Sequence, residues 1–270
     1  MVMGNQVVVG NNLISFNQSG TGDSAVIFLH GWRSQKEVWG SVCRRIGESE
    51  NRSFKLYALD LPGFGGSPAP TKQPLDKLGT PQSTNIEEGW GVGDYAETVK
   101  GFIEKLELKN VIIVGHSFGG RVGVKLASKY PSIISKLVLV DSAGFANQTA
   151  KKSAIGIIAK IAKPFFKAKF MQGLRHKIYN TIGAEDYVAT PNLQKTFVNV
   201  VSEDLSKDME KIICPTLIIT GENDKDTPVE FGKRMQTIIH NSKFVILPGS
   251  GHFSFLDKPE DFLKILYEFM

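Results

Sequence analysis

Short, nearly unbroken apolar runs recur along this chain, at Ala25–Leu29, Lys55–Leu59, Val111–Val114, Leu137–Val140, Thr216–Ile219 and Phe244–Leu247. Each is too short for a buried helix and lacks the polar alternation of a strand with one wet face. Each therefore reads as a strand covered on both sides. Between or after them lie stretches of helical periodicity, at Val38–Ile46, Ser117–Lys129, Val229–Ile238 and Pro259–Phe269. Another helix follows Asp94, which reads as its cap, with Tyr95, Val99, Phe102, Ile103 and Leu106 on one face. Strands alternating with helices imply an α/β fold, a mostly parallel sheet of about eight strands with helices on both faces. Val7–Val9 and Leu13–Asn17, joined by Gly10-Asn11-Asn12, read as a hairpin and so as an antiparallel edge.

The rhythm breaks twice. Ser67 to Gly93 is proline-rich and polar, and reads as a surface loop. Residues 145–208 keep helical periodicity but offer no strand, although sheet strands lie on either side. They are expected to form a helical cap inserted into a core domain of residues 1–144 and 209–270. A chain of 270 residues suits one large domain with such an insertion.

Charge concentrates in the same insertion. The net charge is +5, yet the stretch from Phe145 to Ala184 carries Lys151, Lys152, Lys160, Lys163, Lys167, Lys169, Arg175 and Lys177 and no acidic residue. The excess is local and no recognition motif accompanies it, so nucleic acid is not an expected partner. Ala150–Lys169 places Ile155, Ile158, Ile161 and Ala162 on one helical face before Pro164 interrupts it. The leading reading is a lid with its apolar stripe over the site and its lysines in water. Recognition of an anionic substrate, or weak contact with anionic lipid, is the alternative.

No run approaches the roughly 18 apolar residues of a membrane span, so stable membrane insertion is not expected. Residues 1–12 carry neither a basic region nor a long apolar run, which makes the cytoplasm the default location. The cysteines, Cys43 and Cys214, lie far apart without metal-ligand spacing and read as small buried apolar groups. Neither a metal site nor a cofactor is expected, and the chain can be a monomer or a homodimer.

Gly115-His116-Ser117-Phe118-Gly119, followed by Gly120, matches a G-x-S-x-G turn, with a buried strand entering and an amphipathic helix leaving. So tight a turn forces the serine into strained backbone angles and needs neighbours with almost no side chain. The strain lifts the Ser117 hydroxyl clear of the sheet, and the helix start offers free N–H groups to negative charge. Ser117 is the candidate nucleophile.

With these residues and others the chain resembles the α/β-hydrolase superfamily, nearly end to end outside the insertion. His30-Gly31-Trp32 after a buried strand is similar to that family's oxyanion loop. Asp60 to Ser67 (DLPGFGGS) is similar to its D-x-P-G-x-G-x-S loop, Gly221–Asp224 with Pro228 to its acid-bearing turn, and Gly251-His252 to its histidine loop. The resemblance implies a triad of Ser117, Asp224 and His252, with His252 as general base and Asp224 orienting its ring. Asp141, which follows another strand, is the alternative acid, and Asp226 lies two residues from Asp224. Of five histidines, His30 and His116 belong to glycine motifs, His176 to the insertion and His240 to a polar turn. Asp60 is expected to stabilise its own loop. The backbone N–H groups of Trp32 and Phe118 are the expected oxyanion donors. Trp32, His116, Phe253 and Arg175 are candidates for the substrate pocket.

A nucleophilic serine points away from the dehalogenases and epoxide hydrolases of this family, which use aspartate at the turn. The leading expectation is a hydrolase of a small or medium-sized ester or related acyl compound, working through an acyl-enzyme on Ser117. Carbon–carbon hydrolases of ring-fission products are an alternative, although they typically carry asparagine before the serine and tryptophan after the histidine, where this chain has His116 and Phe253. An acyltransferase with the same triad and a ligand sensor retaining the fold are the others.

Overall fold

The structure, a computed structural model, describes residues 3–49, 54–70, 89–146, 186 and 189–270. Its strands are β1 (Met3–Val9), β2 (Asn12–Ser19), β3 (Ser24–Leu29), β4 (Phe54–Leu59), β5 (Val111–His116), β6 (Ile134–Val140), β7 (Thr216–Gly221) and β8 (Ser242–Leu247). They form one eight-stranded sheet in the order β1-β2-β4-β3-β5-β6-β7-β8. β2 runs antiparallel to both its neighbours, and every pairing from β4 to β8 is parallel. The expected antiparallel edge is present. Its turn is tighter than the sequence suggests, because Asn12 already pairs with Val9 and Gly10 takes φ +55°.

The described helices are α1 (Gly40–Gly47), α2 (Val92–Lys105), α3 (Phe118–Lys129), α4 (Gln194–Ser202), α5 (Ser206–Met209), α6 (Val229–Ile238), α7 (Ser254–Asp257) and α8 (Pro259–Phe269). Two starts differ from expectation. The segment before α1 is a separate 3₁₀ turn, Lys36–Trp39. Asp94 is the third residue of α2 rather than its cap, and its carboxylate accepts the Gly91 N–H at 2.8 Å. A carboxylate one turn inside can satisfy the same orphan donor from within the helix.

Successive side chains of a strand point to opposite faces, and here both faces are dry. Along β3, Ala25, Ile27 and Leu29 pack into a cluster with Val99 and Phe102 of α2 and Val122 and Leu126 of α3. Val26 and Phe28 pack into a second cluster with Trp39, Ile46 of α1, Phe255 of α7 and Phe262 of α8. Helices on both faces leave the strand ends as the places where the sheet can present polar groups.

Residues 147–185, 187 and 188 lie outside the described residues, and so do the expected lid face at Ile155–Ala162, Arg175 and His176. Residues 71–88 of the expected surface loop do too. The two ends of the 145–208 segment are held to α3. Arg121, 4% exposed, donates to the Phe145 carbonyl at 2.7 Å and the Glu203 carbonyl at 2.8 Å. Burial lowers its pKa to about 10 against the pull of Glu203 and Asp204. Lys125, one turn on, pairs with Glu203 at 2.8 Å and Asp208 at 2.7 Å. Sequence alone did not single out either residue.

Cys43 and Cys214 are buried free thiols, with burial pushing Cys43 up to about 12. No helix among the described residues is long and apolar enough to cross a membrane.

Phe28 has no exposed surface and its ring lies 5.2 Å from that of Trp39. Phe28→Ala should destabilise the fold by about 3–5 kcal/mol, the range for emptying a large aromatic site. Urea denaturation followed by far-UV circular dichroism measures it; a loss under about 1 kcal/mol would mean this face can collapse around the void.

Candidate active site

Ser117 joins the end of β5 to the start of α3 at φ +50° and ψ −109°, a strained conformation for a residue with a side chain. Its N–H donates to the Val140 carbonyl at 3.0 Å, and its own carbonyl accepts the N–H groups of Gly120 and Arg121. The turn closes only because its neighbours are small. A Cβ on Gly119 would lie 2.3 Å from the Leu29 carbonyl oxygen. Likewise a Cβ on Gly31 would stand 2.8 Å from His116 Nδ1 and 3.3 Å from Ser117 Cβ, so the His30–Trp32 loop lies directly against the serine turn.

Asp224 and His252 meet at the ends of neighbouring strands, in the turns that follow β7 and β8. Asp224 Oδ2 lies 2.9 Å from His252 Nδ1 and accepts the Thr227 hydroxyl at 2.6 Å. The other oxygen accepts the N–H groups of Asp226 at 2.8 Å and Thr227 at 3.0 Å. Burial alone would raise the Asp224 pKa, but the His252 ring and the Thr227 donors outweigh it and hold the carboxyl below the usual range. Burial likewise opposes charge on His252, yet the Asp224 hydrogen bond and the negative charges of Asp224, Asp226 and Asp141 raise its pKa above the ordinary value.

The carboxylates of Asp224 and Asp226 and the His252 ring come close enough to raise the question of a cation. N–H and O–H donors already surround Asp224, a setting that suits an anion oriented toward an imidazole. It is a poor cradle for a metal.

His252 is tied to Ser117 through His116. That ring lies 4.9 Å from the His252 ring, and its Nε2–H donates to the His252 carbonyl at 2.7 Å. The hydrogen bonds among the described residues do not include one from the Ser117 hydroxyl to the imidazole; catalytic contacts often close only when substrate is bound. His116 is 1% exposed, and burial lowers its pKa to about 3. Expected at the pocket wall, it instead braces the histidine loop from inside. Its ring is enclosed by Trp39, Phe253 and Phe255.

Asp141 does not take the role of alternative acid against the imidazole. Its two oxygens accept the N–H groups of Gly221 at 2.8 Å and Ser254 at 2.9 Å. Asp60 holds more than its own loop. It accepts the Gly66 N–H at 2.8 Å, the Lys36 N–H at 2.7 Å and the Lys36 ammonium at 2.6 Å. His30 accepts the Leu61 N–H on Nε2 and donates from Nδ1 to the Gly31 carbonyl, and burial lowers its pKa to about 4. These contacts fasten the His30–Trp32 loop to the Asp60–Ser67 loop. His240 is exposed beyond α6.

Phe118 is the first residue of α3, where a helix leaves its N–H without an internal acceptor. Trp32 lies beside it, at a ring separation of 5.2 Å, and also packs on Phe64 at 4.9 Å and Phe197 at 5.2 Å. Phe64 and Phe197 escaped sequence reasoning. Phe197 sits on α4, whose periodicity was visible but whose destination was not. Phe253 is 40% exposed and packs on the His116 ring at 4.8 Å. A serine hydroxyl at a strained turn, an imidazole–carboxylate pair, backbone donors and an aromatic wall are the groups that acyl transfer uses.

Comparison with known proteins agrees with the fold. Residues 26–265 match the model of the alpha/beta hydrolase family. The chain is 22% identical to 2-hydroxy-6-oxononadienedioate/2-hydroxy-6-oxononatrienedioate hydrolase of Pseudomonas sp, over 96% of this chain and 92% of that protein. It is 27% identical to monoacylglycerol lipase ABHD6 of Homo sapiens, over 91% of this chain and 75% of that protein. An esterase from Exiguobacterium antarcticum has a similar fold, with a TM-score of 0.74 and 23% identity over 98% of each chain.

A protonated imidazole cannot take a proton, so any activity based on His252 falls as pH drops through its pKa. The raised pKa moves that acid limb to higher pH than an ordinary imidazole would give. Asp224→Asn removes the cause, so the limb should move to lower pH and kcat should fall about 10⁴-fold. Rates measured between pH 5 and 9 check both; an unmoved limb would mean that another carboxylate sets the ring.

Proposed function

The chain belongs to the alpha/beta hydrolase family, and on that premise we propose that it is a serine hydrolase cleaving a small or medium-sized ester or related acyl compound. The observation that carries the reading is the strained Ser117, at φ +50°, whose neighbour His116 packs 4.9 Å from the ring of a His252–Asp224 pair held at 2.9 Å. In the proposed reaction Ser117 Oγ attacks the substrate carbonyl carbon, and its proton passes to His252 Nε2. The carbonyl oxygen, now an oxyanion, accepts hydrogen bonds from the Phe118 and Trp32 N–H groups. Each such donor contributes on the order of 3 kcal/mol in comparable sites. Collapse expels the alcohol, which leaves with the proton from His252. Water then attacks the acyl-enzyme, giving its proton to His252, and the carboxylic acid departs as Ser117 is re-protonated.

Substrate size follows from the wall and the insertion. Trp32, Phe118 and Phe197 offer aromatic surface beside the serine. In this reading the insertion, whose two ends are fixed by Arg121 at the Phe145 and Glu203 carbonyls, is the cap expected from the sequence. Such a pocket suits an apolar acyl or alkyl portion. Likeness to the dienedioate hydrolase of Pseudomonas sp favours a second reading, hydrolysis of a carbon–carbon bond by the same residues.

Short p-nitrophenyl esters and a panel of ring-fission dienoates test the two readings on wild type and Ser117→Ala. Sustained ester turnover, lowered about 10⁶-fold in the variant, is the expected result. Turnover confined to dienoates would replace the ester reading. A single stoichiometric burst would make the protein a sensor.

A further inference from the structure

Asp141 is a fully buried carboxylate that the proposed chemistry does not use. It stands where β6 ends, in a left-handed conformation at φ +44°, and its own N–H donates to the Ile219 carbonyl at 2.8 Å. One carboxylate oxygen accepts the N–H of Gly221, the last residue of β7 and the entry to the Asp224 turn. The other accepts the N–H of Ser254, two residues past His252. On the other side of Phe253, the His252 carbonyl is held by His116 Nε2 at 2.7 Å. The backbone of the histidine loop is thus gripped twice, once from β5 and once from β6.

Resting on the serine-hydrolase reading, we propose that Asp141 is a positioning residue: its carboxylate joins the acid-bearing turn to the histidine loop and keeps the His252 ring against Asp224. Its negative charge also acts directly. It raises the His252 pKa together with Asp224 and Asp226, while burial raises that of Asp141 and neighbouring Asp224 adds to it. The other groups facing the imidazole are the His116 ring and the Thr227 hydroxyl. A carboxylate that only filled space would have neither effect.

The test is Asp141→Asn in the full chain. The amide keeps one acceptor oxygen, but its NH₂ must face the Gly221 or the Ser254 N–H, so one strut and the charge are lost together. By NMR of isotope-labelled imidazole, His252 should titrate at a pH lower by about 0.5 or more. With p-nitrophenyl acetate, kcat should fall roughly 10- to 100-fold while KM stays within about two-fold. An unchanged His252 titration in a variant that still unfolds cooperatively overturns the proposal, whether or not esters are turned over. If the wild type turns over no ester, the ester reading fails and the NMR arm still decides the role of Asp141. If the variant does not fold, the wild type decides. Its His252 signals should show a second inflection as the Asp141 carboxyl, which burial raises to about 6, takes up its proton. A single inflection overturns the proposal.

Discussion

A parallel sheet with helices on both faces has nowhere to keep polar groups except at the ends of its strands. The side chains of β3, β5, β6 and β7 are consumed by two apolar clusters, so hydroxyl, imidazole and carboxylate groups collect just beyond the last residues of the strands. Ser117 follows β5, Asp141 follows β6, Asp224 the turn after β7, and His252 the turn after β8. His30 follows β3 and Asp60 follows β4. Because these strands run the same way, their ends lie on one edge. β2 runs the other way and brings none of these groups to it.

Collecting polar groups on a dry edge has a cost that the structure meets by pairing. Burying a carboxylate or an imidazole without partners is unfavourable by several kcal/mol. Asp60 is met by an ammonium and two N–H groups, and His30 by an N–H and a carbonyl. Burial keeps both His30 and His116 neutral near pH 7, with pKa values of about 4 and 3. His252 is the exception. Its carboxylate neighbours favour charge on the ring, which is the state a general base must reach during a reaction.

Much of this was legible in the chain, for reasons that are local. Continuous apolar runs can only be strands covered on both sides, and the observed β3 and β4 extend the expected ones by a single residue each. Pro259 and the helical stripe after it mark α8 at its observed bounds. The serine turn was legible because its glycines are dictated by contacts with no room for Cβ. Asp141 and Asp224 were harder to separate. Both follow buried strands near acyl-transfer motifs, and sequence cannot say which carboxylate turns toward the ring. Two long-range N–H groups occupy Asp141, whereas Asp224 is oriented by its own turn through Asp226 and Thr227. His116 misled for a similar reason, since a residue beside the nucleophile can face either the substrate or the core. The Trp32–Phe197 contact was out of reach, because it depends on where the insertion returns.

By itself, then, the sequence determined the layers, the strand-end placement of its polar motifs and the strained serine turn, since these follow from hydrophobic period and from the volume of a Cβ. Only the tertiary structure decided which carboxylate meets His252, which imidazole is a brace and which aromatic rings surround Trp32. Those outcomes depend on strand order and on hydrogen bonds between residues far apart in the chain, and no local pattern encodes the direction in which a side chain finally points.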